Sequence, residues 1–181
     1  LEYAIINYNE ERYGKMNDWN VSLINDMSQL FFNKNKFNQD ISNWDVSNVT
    51  NMYHMFHNAN KFNQNISNWD VSNVTNMDGM FIGAKLFNQP LNKWNTIKVK
   101  DMRFMFMDAI HFNQPINKWN TSNVNDISCM FYNANSFNQS LDKWNVSNIT
   151  SMSAVFAKTL LFNQELNNWN IKDYMANFCV I

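Results

Sequence analysis

The chain has 181 residues, 45% hydrophobic and 15% aromatic, enough apolar material to bury a continuous core and too much for an intrinsically disordered segment. A formal net charge of -1 and a pI near 6.3 exclude the global field that draws a protein to nucleic acid or to an anionic membrane. No apolar run approaches the roughly 20 residues of a membrane span, so no direct membrane insertion is expected in this segment.

Residues 1–18 carry no copy of the pattern that follows. Tyr3, Ala4, Ile5 and Ile6 form a short apolar run and Asn7 to Arg12 a polar one. This segment reads as an N-terminal cap or a junction with upstream sequence, since a stacked array needs an atypical end. The chain begins at Leu1 with neither a Met nor a signal-like stretch, and the expectation is a fragment or a mature product.

From residue 19 to 168 the sequence is periodic. Trp19, Trp44, Trp69, Trp94, Trp119, Trp144 and Trp169 include every tryptophan of the chain and are spaced 25 apart without insertion or deletion. Phe37, Phe62, Phe87, Phe112, Phe137 and Phe162 keep the same interval, each followed by Asn and Gln. A fixed period of this size marks a stacked repeat array, here six full copies and then a partial repeat or C-terminal cap over 169–181. One copy shows the expected elements. Ile66, Trp69 and Val71 read as a short strand, Trp69 and Val71 alternating inward around Asp70. Met77, Met80, Phe81 and Ala84 follow at spacings of three and four and read as a short amphipathic helix behind Thr75 or Asn76 as cap. So short a helix must pack against its copies. The methionines that recur at these places read as adaptable core filler rather than as soft-metal ligands.

About one residue in five is Asn, while the chain holds only 3 Gly and 2 Pro; Asn replaces them in turns because it bonds nearby backbone and tolerates left-handed conformations. Asn or Asp always follows Trp (Asn20, Asp45, Asp70, Asn95, Asn120, Asn145, Asn170), and this column is expected to stack into a hydrogen-bonded ladder. Asn38, Asn63, Asn88, Asn113, Asn138 and Asn163 are expected to form a second, because the irregular FNQ turn leaves backbone groups in need of side-chain partners.

The string from Ile66 through Trp69, Val71, Val74, Thr75, Met77, Met80, Phe81 and Ala84 to Phe87 resembles the BspA-type leucine-rich repeats of surface proteins. It is most similar to their 25-residue branch, abundant in mycoplasma surface lipoproteins and in other AT-rich genomes, including those of large DNA viruses. The resemblance covers about residues 16 to 172. It implies an α/β repeat fold: a right-handed leucine-rich-repeat-like solenoid with a parallel β-sheet on one face and short helices on the other. It also implies a cell-surface, extracellular or virion location, a role in adhesion or partner binding, and no catalytic residues. Lys98 and Lys100 depart from the usual Asn and Thr, and after Trp169 the pattern dissolves into Asp173, Tyr174, Met175, Ala176, Asn177 and Phe178.

Chemical motifs are scarce. There is no GxGxxG, P-loop, HExxH or GxSxG, and no cofactor is implied. His54 and His57 are close enough to share a metal, but His111 lies two copies away and no carboxylate recurs beside them, so they read as surface histidines and no metal is expected. Cys129 and Cys179 form no CxxC pair and read as free thiols. The sequons at Asn48, Asn73 and Asn148 arise from the repeat itself. With no convergent acid, base or nucleophile, the expected function is non-enzymatic recognition of a protein or glycan through the open sheet face, the alternative being a structural spacer or capsid-associated component. The candidate binding face is Asp45, Asp70, Lys93, Lys118 and Lys143, acidic in the early copies and basic in the late ones. The sequence sets no oligomeric state.

Overall fold

The computed structural model describes residues 1–169; the expectations for Asn170, residues 173–178 and Cys179 lie outside the described residues. Among the described residues helix is confined to the start: α1 (Glu2–Ile6), α2 (Glu10–Tyr13) and a 3₁₀ turn at Met16–Asp18. This segment lies against the first copy. Tyr8 and Tyr13 meet the Trp19 ring edge-on at 5.8 and 6.3 Å, and the Trp19 indole N–H donates to the Tyr13 carbonyl at 2.9 Å.

The remaining described chain is built of turns. Successive copies touch through isolated parallel bridges, from Asp26 to Asn51, Asn76, Asp101, Asp126 and Ser151, and no sheet is present among the described residues. The expected right-handed leucine-rich-repeat-like solenoid, with a parallel sheet on one face and helices on the other, is therefore overturned. One bridged residue per copy does not make a strand, and the bridge falls at Asn76 rather than in the Ile66–Val71 stretch.

Hydrogen bonds explain both failures. In the third copy Trp69 N–H donates to Ile66 O, Val74 to Val71, Met80 to Met77, Ala84 to Phe81 and Phe87 to Ala84, at 2.9 to 3.2 Å. The apolar residues at intervals of three are thus the two ends of successive turns, and not one face of a helix. An Asn or Asp just ahead seeds three of these turns by accepting a backbone N–H two residues on: Asn65 from Ser67, Asp70 from Ser72 and Asn76 from Asp78. Helix is also blocked by left-handed residues at two places in every copy, such as Gly79 (φ 59) and Gly83 (φ 63), with His54 and Asn58 one copy earlier. The amides of Met77, Gly79, Phe81 and Gly83 consequently point out of the coil, to the carbonyls of Asp101, Arg103, Met105 and Met107 in the next copy.

What holds the stack is buried aromatic surface. Phe56, Phe81, Phe106 and Phe131 lie nearly parallel at 5.5 to 5.7 Å from copy to copy, and Trp94, Trp119 and Trp144 follow at 6.2 and 6.4 Å. Each of these rings is at most 3% exposed. Every indole N–H from Trp44 to Trp169 donates to a carbonyl of the preceding copy, as Trp94 does to Ile66 at 3.1 Å. Where Thr96 and Thr121 replace valine in the core, their hydroxyls donate to Asn120 O and Asn145 O, so burial leaves no orphaned group.

The FNQ ladder forms. Asn88 Oδ1 accepts both the Asn113 backbone N–H at 2.9 Å and Gln114 Nε2 at 3.0 Å, and the Asn63, Asn113 and Asn138 carbonyl oxygens do the same one copy along. The column after Trp does not behave as expected: Asn20, Asp45, Asp70, Asn95, Asn120 and Asn145 accept from the backbone two residues on, inside their own turn.

Two expectations follow. Asn88→Ala leaves the Asn113 amide and the Gln114 side chain without an acceptor and should cost about 1–3 kcal/mol in urea denaturation, whereas Asn88→Asp, which keeps the accepting oxygen, should cost distinctly less; equal losses would remove the ladder from the account. A Cβ on Gly79 would lie 2.3 Å from His54 Cδ2 on top of left-handed strain of about 1–2 kcal/mol. Gly79→Ala should therefore destabilise, and part of that loss should be recovered in the Gly79→Ala/His54→Ala double variant.

Candidate functional site

The five residues singled out beside Trp are all exposed. Lys93, Lys118 and Lys143 directly precede three stacked tryptophans, so consecutive copies present them in one row. Lys93 Nζ reaches Asn68 Oδ1 at 3.5 Å. Asp45 and Asp70 sit on the other side of their tryptophans, each capping its own turn, and the bonds from Ser47 hold the Asp45 carboxyl below its ordinary value. The row lies on a turn edge, and no sheet is present among the described residues to carry it.

The sequons are engaged. The amide nitrogens of Asn48, Asn73 and Asn148 donate to the carbonyls of Ser22, Ser47 and Ser122 in the preceding copy at 2.8, 2.7 and 2.6 Å. Lys98 keeps that register with a different chemistry, its Nζ donating to Asn73 Oδ1 at 2.7 Å.

A second surface forms where helices were expected. Its columns change chemistry from copy to copy: Ser28, Tyr53, Asp78, Arg103, Ser128 and Ser153 in one, and Gln29, His54, Gly79, Phe104, Cys129 and Ala154 in the next. Between the second and fourth copies an open cleft of about 630 Å³ is lined by Tyr53, His54, His57, Asp78, Arg103 and Phe104, among others. Left-handed backbone at His54 (φ 53) and Phe104 (φ 55) sets the direction of these side chains. Tyr53 stacks on His54 at 3.9 Å. Phe32 abuts His57 edge-on at 4.8 Å.

The polar part of the cleft centres on Asp78, 3% exposed. Arg103 Nε and an Arg103 terminal nitrogen both lie 2.8 Å from Asp78 Oδ2, and Arg103 Nε lies 3.4 Å from Asp101. Asp78 Oδ1 is buried without a protein partner. Burial pushes the Asp78 carboxyl above its ordinary value against the opposing pull of Arg103, and burial raises Asp101 likewise. Burial lowers both histidines, with Arg103 adding to the effect at His54 and His54 adding to it at His57.

Of this cleft the sequence picked out only His54 and His57. Tyr53, Asp78, Arg103 and Phe104 belong to no chemical motif and stand beside the recurring Met and Phe columns; the signal that finds them is variation in columns flanked by invariant ones. No group of three or more His, Cys, Asp or Glu among the described residues is placed to hold a metal. No helix among them is long and apolar enough to cross a membrane.

A family model described as Mycoplasma protein of unknown function, DUF285, matches residues 1–110 and 89–178. No curated protein and no solved structure matches the chain.

The raised Asp78 pKa fixes the sign of a pH effect. A carboxyl whose folded value lies above its unfolded value contributes most to stability below the unfolded pKa, about 3.9, and that contribution is lost as pH rises through the folded value. Wild type should lose stability relative to Asp78→Asn over this interval in urea denaturation at stepped pH. A flat difference would show that the Arg103 pairing balances burial, and an opposite one that it outweighs burial.

Proposed function

This chain belongs to the family described as Mycoplasma protein of unknown function, DUF285, and from that membership and the geometry of its turn face we propose a non-enzymatic recognition module, displayed at a cell or particle surface, that binds a protein or glycan. Within the family we read it as a member of the BspA-like branch with 25-residue units, on the recurrence of its WDVSNVT and FNQ segments.

One observation carries the proposal. Side chains that build the stack are nearly uniform, while neighbouring positions on the turn face change through three consecutive copies, running through Tyr53, Asp78 and Arg103 in one column and His54, Gly79 and Phe104 in the next. Packing does not require this, since Ser28, Ser128 and Ser153 occupy the same place in other copies. A spacer needs only uniform solvated coils, whereas a recognition surface needs local chemical identity. Tyr53 and Arg103 belong to the residue types that dominate binding energy at interfaces, and Phe104 to those enriched there.

The lysine row supports a second binding surface for an anionic partner, because Lys93, Lys118 and Lys143 occupy consecutive copies with uncharged Asn95, Asn120 and Asn145 beside them. One experiment separates the two. Binding of wild type to a glycan array and to purified candidate surface proteins is compared with that of Tyr53→Ser/Arg103→Ser/Phe104→Ser and of Lys93→Ser/Lys118→Ser/Lys143→Ser. The turn-face variant should lose about tenfold or more, at any salt concentration. Loss confined to the lysine variant, and only at low salt, would move the binding surface to the Trp edge; a wild type that binds nothing on either panel would favour the spacer.

A further inference from the structure

His54 and His57 are the ends of a single turn, closed by the His57 N–H donating to the His54 carbonyl at 3.1 Å. Their Nδ1 atoms share a hydrogen bond at 3.3 Å, with the two rings at 85°, and a metal ion would take the place of its proton. A tetrahedral metal ion with metal–nitrogen bonds of about 2.0–2.1 Å holds two imidazole nitrogens about 3.3–3.4 Å apart. We propose that His54 and His57 form a two-imidazole site for a divalent transition metal of the zinc class, bound through both Nδ1 atoms, with its remaining positions open to water or to a donor from a partner.

The surroundings hold both rings in place. Tyr53 lies flat on His54 at 3.9 Å and 13°, and Phe32 stands against His57 at 79°. On its other side His54 occupies space that a side chain on residue 79 would take, since a Cβ there would lie 2.3 Å from His54 Cδ2 and 2.5 Å from Nε2. The column that places His54 beside residue 79 holds Gln29, Phe104, Cys129 and Ala154 in the other copies, so the copy bearing the histidine pair is followed by the one bearing glycine. With Nε2 turned towards Gly79, Nδ1 is the nitrogen presented to His57. The nearby positive charge of Arg103 is answered by Asp78 and Asp101. Imidazole suits zinc, copper and nickel, and two protein ligands leave the open coordination that a closed structural site lacks.

The test is calorimetric titration of the full chain with zinc chloride near neutral pH. One site per chain is expected, weakened about tenfold or more by His54→Ala and by His57→Ala and unchanged by His111→Ala. Gly79→Ala keeps both imidazoles but crowds His54, and should weaken binding while thermal melting shows a cooperative fold. Should either alanine variant unfold, the wild type loaded with one equivalent of copper(II) gives an independent readout, nitrogen hyperfine coupling from two imidazoles in electron paramagnetic resonance. Absence of saturable zinc binding below the millimolar range, affinity unchanged in folded His54→Ala or His57→Ala, or coupling from a single imidazole would each overturn the site.

Discussion

A coil made of turns cannot satisfy its own backbone, and the rest of this structure depends on that deficit being met by the neighbouring coil. Met77, Gly79, Phe81 and Gly83 send their amides to carbonyls one copy ahead. The FNQ amides and the indole N–H groups supply the same service where no backbone partner is in reach. Buried polar groups left unpaired cost about 1–3 kcal/mol each, so a single inserted residue would misplace several donors per copy. The unbroken 25-residue interval is the sequence-level record of that constraint, because hydrophobic contact alone, being non-directional, tolerates small slips.

The period, the buried columns and the FNQ ladder were legible in the sequence because each rests on what a residue type must do once buried. Trp with a donor, Phe without one and Asn with an acceptor read the same in any backbone. The secondary structure was not legible. Apolar residues at intervals of three fit one side of a helix and also the two ends of consecutive turns, and Met77, Met80, Phe81 and Ala84 satisfy both patterns. What decides is backbone conformation at residues such as His54, Phe104, Cys129 and Ala154, all left-handed here although none of those residue types is a strong turn former. Neighbouring copies impose that conformation through the cross-coil bonds, and a single copy read alone carries no trace of it. The column after Trp misled for a related reason: an Asx side chain can bond along its own turn or across to the next copy, and spacing does not distinguish them.

The candidate site divides the same way. Exposure of Asp45, Asp70, Lys93, Lys118 and Lys143 followed from their alternation with buried tryptophan and is seen in the structure, although no sheet among the described residues carries them. The cleft around Arg103 was out of reach because its members come from three different copies, and their meeting depends on where left-handed backbone aims each side chain. Asp78 shows the consequence: it is 3% exposed and held by a guanidinium from the next copy, 25 residues away in sequence.

Left-handed positions therefore have two roles in each copy, and the two are in tension. They direct alternate amides out of the coil and so join the stack, and they also aim the variable side chains of the turn face. Gly would suit the first role with least strain, yet Gly fills these positions only at residues 79 and 83 of the described copies. Asn33, Asn58, Asp108 and Asn133 tolerate the conformation, but at the remaining positions a side chain is kept at a cost of about 1–2 kcal/mol per residue, and at His54, Phe104 and Cys129 it is large or chemically distinctive. Local strain retained where glycine would relieve it, on the surface whose chemistry changes from copy to copy, is the pattern expected when the side chain itself is what the position is for.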